Sequence, residues 1–178
     1  MKGNGRTEKG RGYRNSSLWL LGLFLLLTLP AALCPAEAAL RIGSALPPVI
    51  LPGVGGALLR IPENVKGKVV ILHFWQIGCS SCKLEMPAID ALYKQYQKKG
   101  LEVLAVNVGQ KKEVVRTFAG ELGVTYPILI DADAKSAALF GVKDVPRTSV
   151  IDRGGIVRYR ILGGATPETL KKLVLSLL

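Results

Sequence analysis

Two thiols stand three residues apart in Cys79-Ser80-Ser81-Cys82. At the start of a helix, that spacing lets them close into a disulfide with little backbone movement. The segment before them, Val69-Val70-Ile71-Leu72-His73-Phe74-Trp75, is apolar and reads as a buried strand, and a helical pattern begins near Ser80. A helix N-terminus presents unpaired N–H groups and the positive end of the dipole, and both favour a thiolate over a thiol. Such surroundings lower a cysteine pKa from about 8.5 to between roughly 3.5 and 7.5. The thiolate is the species that disulfide exchange requires. The chemistry on offer is therefore thiol–disulfide exchange, with Cys79, nearer the helix end, as the attacking thiolate and Cys82, one turn in, as the more buried resolving thiol. The rival use of paired thiols is zinc binding. A structural zinc site wants four ligands, and the chain offers one C-x-x-C and a single histidine, His73.

The elements that must hold this pair begin after a leader. Residues 2–14 carry Lys2, Arg6, Lys9, Arg11 and Arg14 against one acid, Glu8, and Leu18 to Leu29 is almost wholly apolar. Pro30 breaks the run and small residues follow to Ala36-Glu37-Ala38. A basic start, a short apolar run and an A-x-A site describe a secretory signal peptide, with cleavage after Ala38. The alternative is an uncleaved membrane anchor over the same residues. Cys34 lies inside the leader, and Leu33 stands where a lipoprotein signal wants a small residue. The expected division is 1–38 as signal peptide or anchor and 39–178 as one domain, large enough to bury a core without disulfide staples. An exported domain faces an extracytoplasmic compartment, the periplasm or the outer face of the cytoplasmic membrane.

The formal charge is +11. The basic residues of the domain are dispersed, with no aromatic ladder beside them of the kind nucleic-acid surfaces use. They are expected to form a solvated face, and no nucleic-acid partner is expected.

Val49-Ile50-Leu51 and Ala57-Leu58-Leu59 flank a Pro/Gly-rich stretch and read as a short hairpin. Lys83 to Lys99 is helical, with Met86, Ile89, Leu92, Tyr93 and Tyr96 on one stripe, a kink expected at Pro87, and Gly100 as C-cap. Strands follow over Leu101–Val108 and Tyr126–Asp131, separated by a helix over Lys112–Leu122. A short helix spans Lys135–Phe140, a terminal hairpin spans Thr148–Asp152 and Ile156–Leu162, and a last helix starts with Thr166 at N-cap and Pro167 at N1. This order makes an α/β fold with a central mixed sheet covered on both faces.

The pattern Phe74-Trp75-x-x-x-Cys79-x-x-Cys82-x-x-Glu85-x-Pro87 resembles the thioredoxin superfamily, and its glutamate and second proline resemble the extracytoplasmic TlpA/ResA-like branch. Gly141-Val142-Lys143-Asp144-Val145-Pro146, followed by Thr148-Ser149-Val150-Ile151-Asp152 and Gly155, is similar to that branch's second signature. The likeness covers about residues 42–178. It implies a thioredoxin-like three-layer sandwich with an N-terminal β-hairpin. It implies a cis bond between Val145 and Pro146, lying against the cysteines, where the backbone of Val145 pairs with substrate like an added strand. The glutamate matching Glu85 tunes the cysteine pair in similar proteins and shuttles the second proton; read without the resemblance, Glu85 is a solvated acid on the helix. His73 occupies the place where thioredoxins keep a buried acid that helps deprotonate the resolving thiol. It is either a proton relay of that kind or a packed core histidine with one hydrogen bond. Two departures stand out: Gly78 replaces the tryptophan usual before the first cysteine, and Ser-Ser lies between the cysteines.

The function expected is an extracytoplasmic disulfide reductase with no cofactor beyond its redox-active disulfide. It would be a monomer, taking electrons from a membrane thiol-electron transporter and passing them to protein disulfides. The resemblance points to apocytochrome c before haem attachment as one such substrate. The rival readings are an oxidase or isomerase on the same fold, and a copper(I) chaperone using the paired thiolates. Copper carriers of this fold add a histidine after the cysteines, and none follows them here. A peroxidase of the same superfamily would place Pro and Thr ahead of one cysteine, which this motif lacks.

Overall fold

The computed structural model describes Gly5 and residues 40–178; the leader, its cleavage point and Cys34 lie outside the described residues. A hairpin opens the domain, β1 (Val49–Pro52) pairing antiparallel with β2 (Leu58–Ile61). The five-stranded sheet follows in the order β5-β4-β3-β6-β7, from β3 (Val69–Trp75), β4 (Leu101–Val108), β5 (Ile128–Asp131), β6 (Arg147–Ile151) and β7 (Val157–Leu162). β3, β4 and β5 run parallel, while β6 and β7 are antiparallel to their neighbours. This is the mixed sheet the sequence predicts.

All seven residues of β3 are buried, as a central strand covered on both faces must be. Successive side chains point to opposite faces, and the core divides accordingly. Val69, Ile71 and Trp75 face α1 (Ser80–Tyr96), α2 (Lys112–Leu122) and α4 (Pro167–Leu175), through Met86, Ile89, Val115, Ala119, Leu170 and Val174. Val70, Leu72 and Phe74 face the hairpin and α3 (Lys135–Leu139), meeting Leu51, Ile61, Ala137 and Phe140. Phe74 and Trp75 are both core residues: Phe74 lies 5.5 Å from the Phe140 ring, and Trp75 stacks on Phe118 at 5.7 Å.

Each sheet edge is met at one place by another segment. Residues 43–46 hydrogen-bond to Gly155 and Val157 beside β7, and the hairpin turn meets β5 through Val54 N–H to the Ile128 carbonyl, 3.0 Å.

Element ends depart from the sequence reading where local chemistry intervenes. β5 begins at Ile128 and not Tyr126, because Pro127 has no N–H to give the ladder. α1 starts at Ser80 and runs through Pro87, and its last residues tighten into a turn over Gln97–Lys99 before Gly100, at φ 96°, ends it. α3 stops at Leu139, with Gly141 following at φ 63°. β6 is displaced by one residue from expectation, and β7 begins one residue later and ends as expected, with a pairing irregularity between Val150 and Ile151. A cis bond at Ile61–Pro62 accompanies the one at Val145–Pro146.

Candidate active site

The C-terminal end of β3 delivers the chain into a three-residue loop, Gln76-Ile77-Gly78, and that loop is tied down from β4. Gln76 donates through Nε2 to the Val108 carbonyl, 3.0 Å, and Ile77 N–H donates to Gln110 Oε1, 2.8 Å. Asn107 Nδ2 donates to the same Gln110 oxygen, 2.9 Å. The buried Asn107 thus holds Gln110, and Gln110 holds the loop. Gly78 adopts φ 96°, a left-handed conformation that a side chain makes costly. The glycine at the place where the family usually has tryptophan is thus a backbone requirement of this loop, besides the loss of a shielding ring.

Cys79 is the N-cap of α1, and its Sγ accepts the Cys82 N–H at 3.2 Å. The two sulfurs are bonded at 2.10 Å, with the Cα atoms 5.3 Å apart. Cys79 is half-buried and Cys82 fully buried, which separates a sulfur that a partner can reach from one that it cannot. No acid lies in the first turn of α1 to oppose a thiolate there.

One turn on, Glu85 shares a helix face with Cys82. It is not a solvated surface acid, being only 9% exposed. Its Oε1 accepts the Ala165 N–H, and its Oε2 lies 3.9 Å from His73 Nδ1. Burial raises the Glu85 pKa, and the Ala165 N–H offsets part of that rise. His73 is fully buried, its Nδ1 shares a hydrogen bond with Thr148 Oγ1 at 2.9 Å, and its Nε2 has no partner. Burial lowers its pKa to about 4, so the imidazole is neutral at ordinary pH. His73 is thus packed in the core with one hydrogen bond, beside Glu85.

Pro146 is buried and follows a cis bond, as the resemblance implies, and Val145 is half-buried, touching both core clusters. The Pro146 carbonyl accepts the Gly163 N–H at 3.1 Å. Arg147 stands opposite Phe74 in the sheet register and His73 opposite Thr148, so the proline sits at the same sheet end as the cysteine loop. Cys79, Cys82, Glu85, Val145, Pro146 and His73 all belong to one end of the sheet. The sequence reading did not single out Asn107, Gln110 or Ala165, and it named Thr148 only as part of a strand and of the second signature. Asn107, a lone amide inside an apolar strand, was the one readable signal, since a buried amide must find partners.

The AhpC/TSA family model matches residues 42–160. The chain belongs to that family. A thiol-disulfide oxidoreductase ResA from Geobacillus thermodenitrificans is 38% identical over 159 residues, covering 89% of this chain and 91% of that protein. ResA from Bacillus subtilis strain 168 is 31% identical over 143 residues, covering 80% and 79%. The solved structure of StoA from Bacillus subtilis is similar with a TM-score of 0.62 at 26% identity, covering 72% of this chain and 98% of that one. Relatives of this name, with the bonded Cys79–Cys82 pair, make the chain a ResA-like thiol-disulfide oxidoreductase of thioredoxin fold. Its partners are accordingly protein thiols and disulfides.

Proposed function

We propose that the chain is an extracytoplasmic disulfide reductase, its active form the Cys79/Cys82 dithiol. The observation that carries this reading is the burial difference within the pair: Cys79 is half-buried at the helix cap, while Cys82 is fully buried. In the first step the Cys79 thiolate attacks a protein disulfide. One substrate sulfur leaves as a thiolate and takes a proton, and a mixed disulfide forms at Cys79. Cys82 then gives up its proton and attacks Cys79, releasing the second substrate sulfur and leaving the Cys79–Cys82 disulfide. Two electrons have passed to the substrate. A membrane thiol-electron transporter returns them as a dithiol, and no other cofactor enters.

The proton of Cys82 goes to Glu85. A buried carboxyl with a raised pKa is a better acceptor near neutral pH than an ordinary surface glutamate. His73, already neutral and reluctant to protonate, acts through Glu85 as a positioning residue, and a relay through it ends at Thr148. Val145 offers its backbone to a substrate strand; among the described residues, no backbone hydrogen bond of the surrounding loops uses it. The extracytoplasmic setting rests on the leader sequence, and reduction of apocytochrome c before haem attachment on the family resemblance. Among the described residues no helix is long and apolar enough to cross a membrane.

The test is insulin reduction by the protein in the presence of dithiothreitol. The protein should accelerate precipitation of the insulin B chain, and Cys79→Ala should abolish the acceleration, while Cys82→Ala should accumulate a mixed disulfide. Equal rates for the protein and Cys79→Ala would end the reading. A midpoint potential in the range of strong oxidants would reverse the direction of exchange.

A further inference from the structure

Most cations that the fold brings close to other groups have partners. Lys68, Lys94, Lys135 and Arg158 are paired with Glu102, Asp90, Asp133 and Asp152, and Arg153 donates to the carbonyls of Gly67, Lys99 and Leu178. Arg147 and Arg160 differ. In the β6–β7 register Arg147 lies opposite Leu162 and Arg160 opposite Ser149, so the two arginines are diagonal neighbours on one face of the sheet. Both are half-buried. The Nε of each is enclosed without an acceptor, and among the described residues no acid lies within ion-pair distance of either. Burial, and then the nearby Arg147 charge, lower the Arg160 pKa. Two guanidinium groups held together and part-desolvated without a counter-charge are unfavourable, and an incoming carboxylate relieves the cost. The guanidinium fork suits a carboxylate better than any other side chain does.

By register they leave the sheet on the Phe74 side, the face away from α1, and Arg147 does so at the sheet end that carries the cysteine loop. Arg147 directly follows Pro146 and stands opposite Phe74, five residues before Cys79. Beside it Leu162 is 68% exposed, a large apolar side chain next to the unpaired charge. The chain returns from Leu162 through Gly163, whose N–H binds the Pro146 carbonyl. An exposed apolar side chain and two cations without an acidic partner therefore lie beside Pro146, the proline proposed to face the substrate.

We propose that Arg147 and Arg160 receive an acidic side chain of the substrate polypeptide, borne near its reacting cysteine, and so select among protein disulfides. This rests on the exchange function proposed above and adds the chemistry of its substrate. Complementary charge at the rim of a docking surface governs encounter rate and its salt dependence.

The experiment uses the full chain in its dithiol form and follows oxidation by tryptophan fluorescence in stopped flow. The oxidants are three synthetic peptides that each contain one disulfide and differ only in a Glu, Gln or Lys flanking one cysteine. A fourth oxidant, hydroxyethyl disulfide, is small and uncharged, and each peptide rate is divided by the same protein's rate with it. The wild-type ratio should be about tenfold higher for the Glu peptide than for the Gln peptide at low salt, lowest for Lys, and should converge as salt screens the charges. In Arg147→Gln/Arg160→Gln the Glu preference should fall below about twofold, and in the two lysine replacements most of it should return. Should the double variant fail to fold, Arg160→Gln alone, together with the wild-type salt dependence, gives the same reading. Equal ratios for the three peptides in the wild type, or a preference unchanged in the Gln variants, would overturn the proposal while leaving exchange intact. No reaction with hydroxyethyl disulfide either would overturn the exchange function and this inference with it.

Discussion

Acidification should unfold this protein partly through one side chain, His73. The imidazole is fully buried, and burial lowers its pKa from the ordinary 6.5 to about 4. Unfolding returns it to water, where it takes a proton near pH 6.5. Between those two values the unfolded chain binds the proton and the native chain does not. The stability that neutral His73 contributes is thus complete above pH 6.5 and is lost as the pH falls towards 4. Carried through the linkage relation, the loss between pH 7 and pH 4.5 is about 2 to 3 kcal/mol. Glu85 works in the opposite sense: its raised pKa means that its contribution is present at low pH and lost as the pH rises. The wild-type curve therefore mixes the two, and the clean quantity is the difference between wild type and His73→Gln. Glutamine keeps a polar group opposite Thr148 and does not titrate. Urea denaturation of both proteins at pH 7 and pH 4.5 measures that difference. His73→Gln should be the less stable at pH 7, because it leaves space in a packed core, and the gap should narrow by about 2 to 3 kcal/mol at pH 4.5. A gap of the same size at both pH values would mean that the histidine is not held neutral by burial, and the argument would fail.

Glu85→Gln should be more stable than wild type at neutral pH, with the advantage vanishing on acidification below pH 4.5, as read by the same titrations; the pH profile of mixed-disulfide resolution should flatten in this variant. Gly78→Ala should cost about 1 to 2 kcal/mol, read as a lowered Tm, because the residue sits at φ 96°. Asp131→Ala should cost about 1 to 3 kcal/mol in urea denaturation, since Oδ1 and Oδ2 accept the N–H groups of Ser136 and Ala137 at the start of α3, at 3.0 and 2.7 Å.

What the sequence made legible was set by locality. The apolar run of β3, the thiol spacing and the Thr166-Pro167 helix start are all read within a few positions, and each stands where it was expected. The cis bond at Val145–Pro146 was legible only through resemblance. The supports of the site were not legible, because they are made by register between strands far apart in the chain. Gln110 reaches the loop from 33 residues away, and Thr148 reaches His73 from 75 away. Glu85 could be placed on the face of Cys82 by helix spacing. Its backbone partner could not be, since the Ala165 N–H comes 80 residues later. The arginine pair is hidden for the same reason: residues 147 and 160 become neighbours only through the pairing of β6 with β7.

The turn over Gly163, Gly164 and Ala165 joins these long-range features into one device. Gly163 N–H binds the Pro146 carbonyl, and Ala165 N–H binds the Glu85 carboxylate. Between them, a Cβ at Gly164 would stand 3.0 Å from Glu85 Oε1, so glycine there leaves the carboxylate room to reach the next N–H. A hydrogen bond to a backbone N–H favours the ionised form of a carboxylate, whereas burial favours the neutral form. The same turn thus limits how far burial raises the Glu85 pKa and fixes the carbonyl beside which a substrate strand would lie. A substrate that displaced Gly163 from Pro146 would also disturb the bond that lowers the Glu85 pKa. Docking beside Pro146 and proton acceptance by Glu85, as proposed above, would in this way be connected through three residues of backbone.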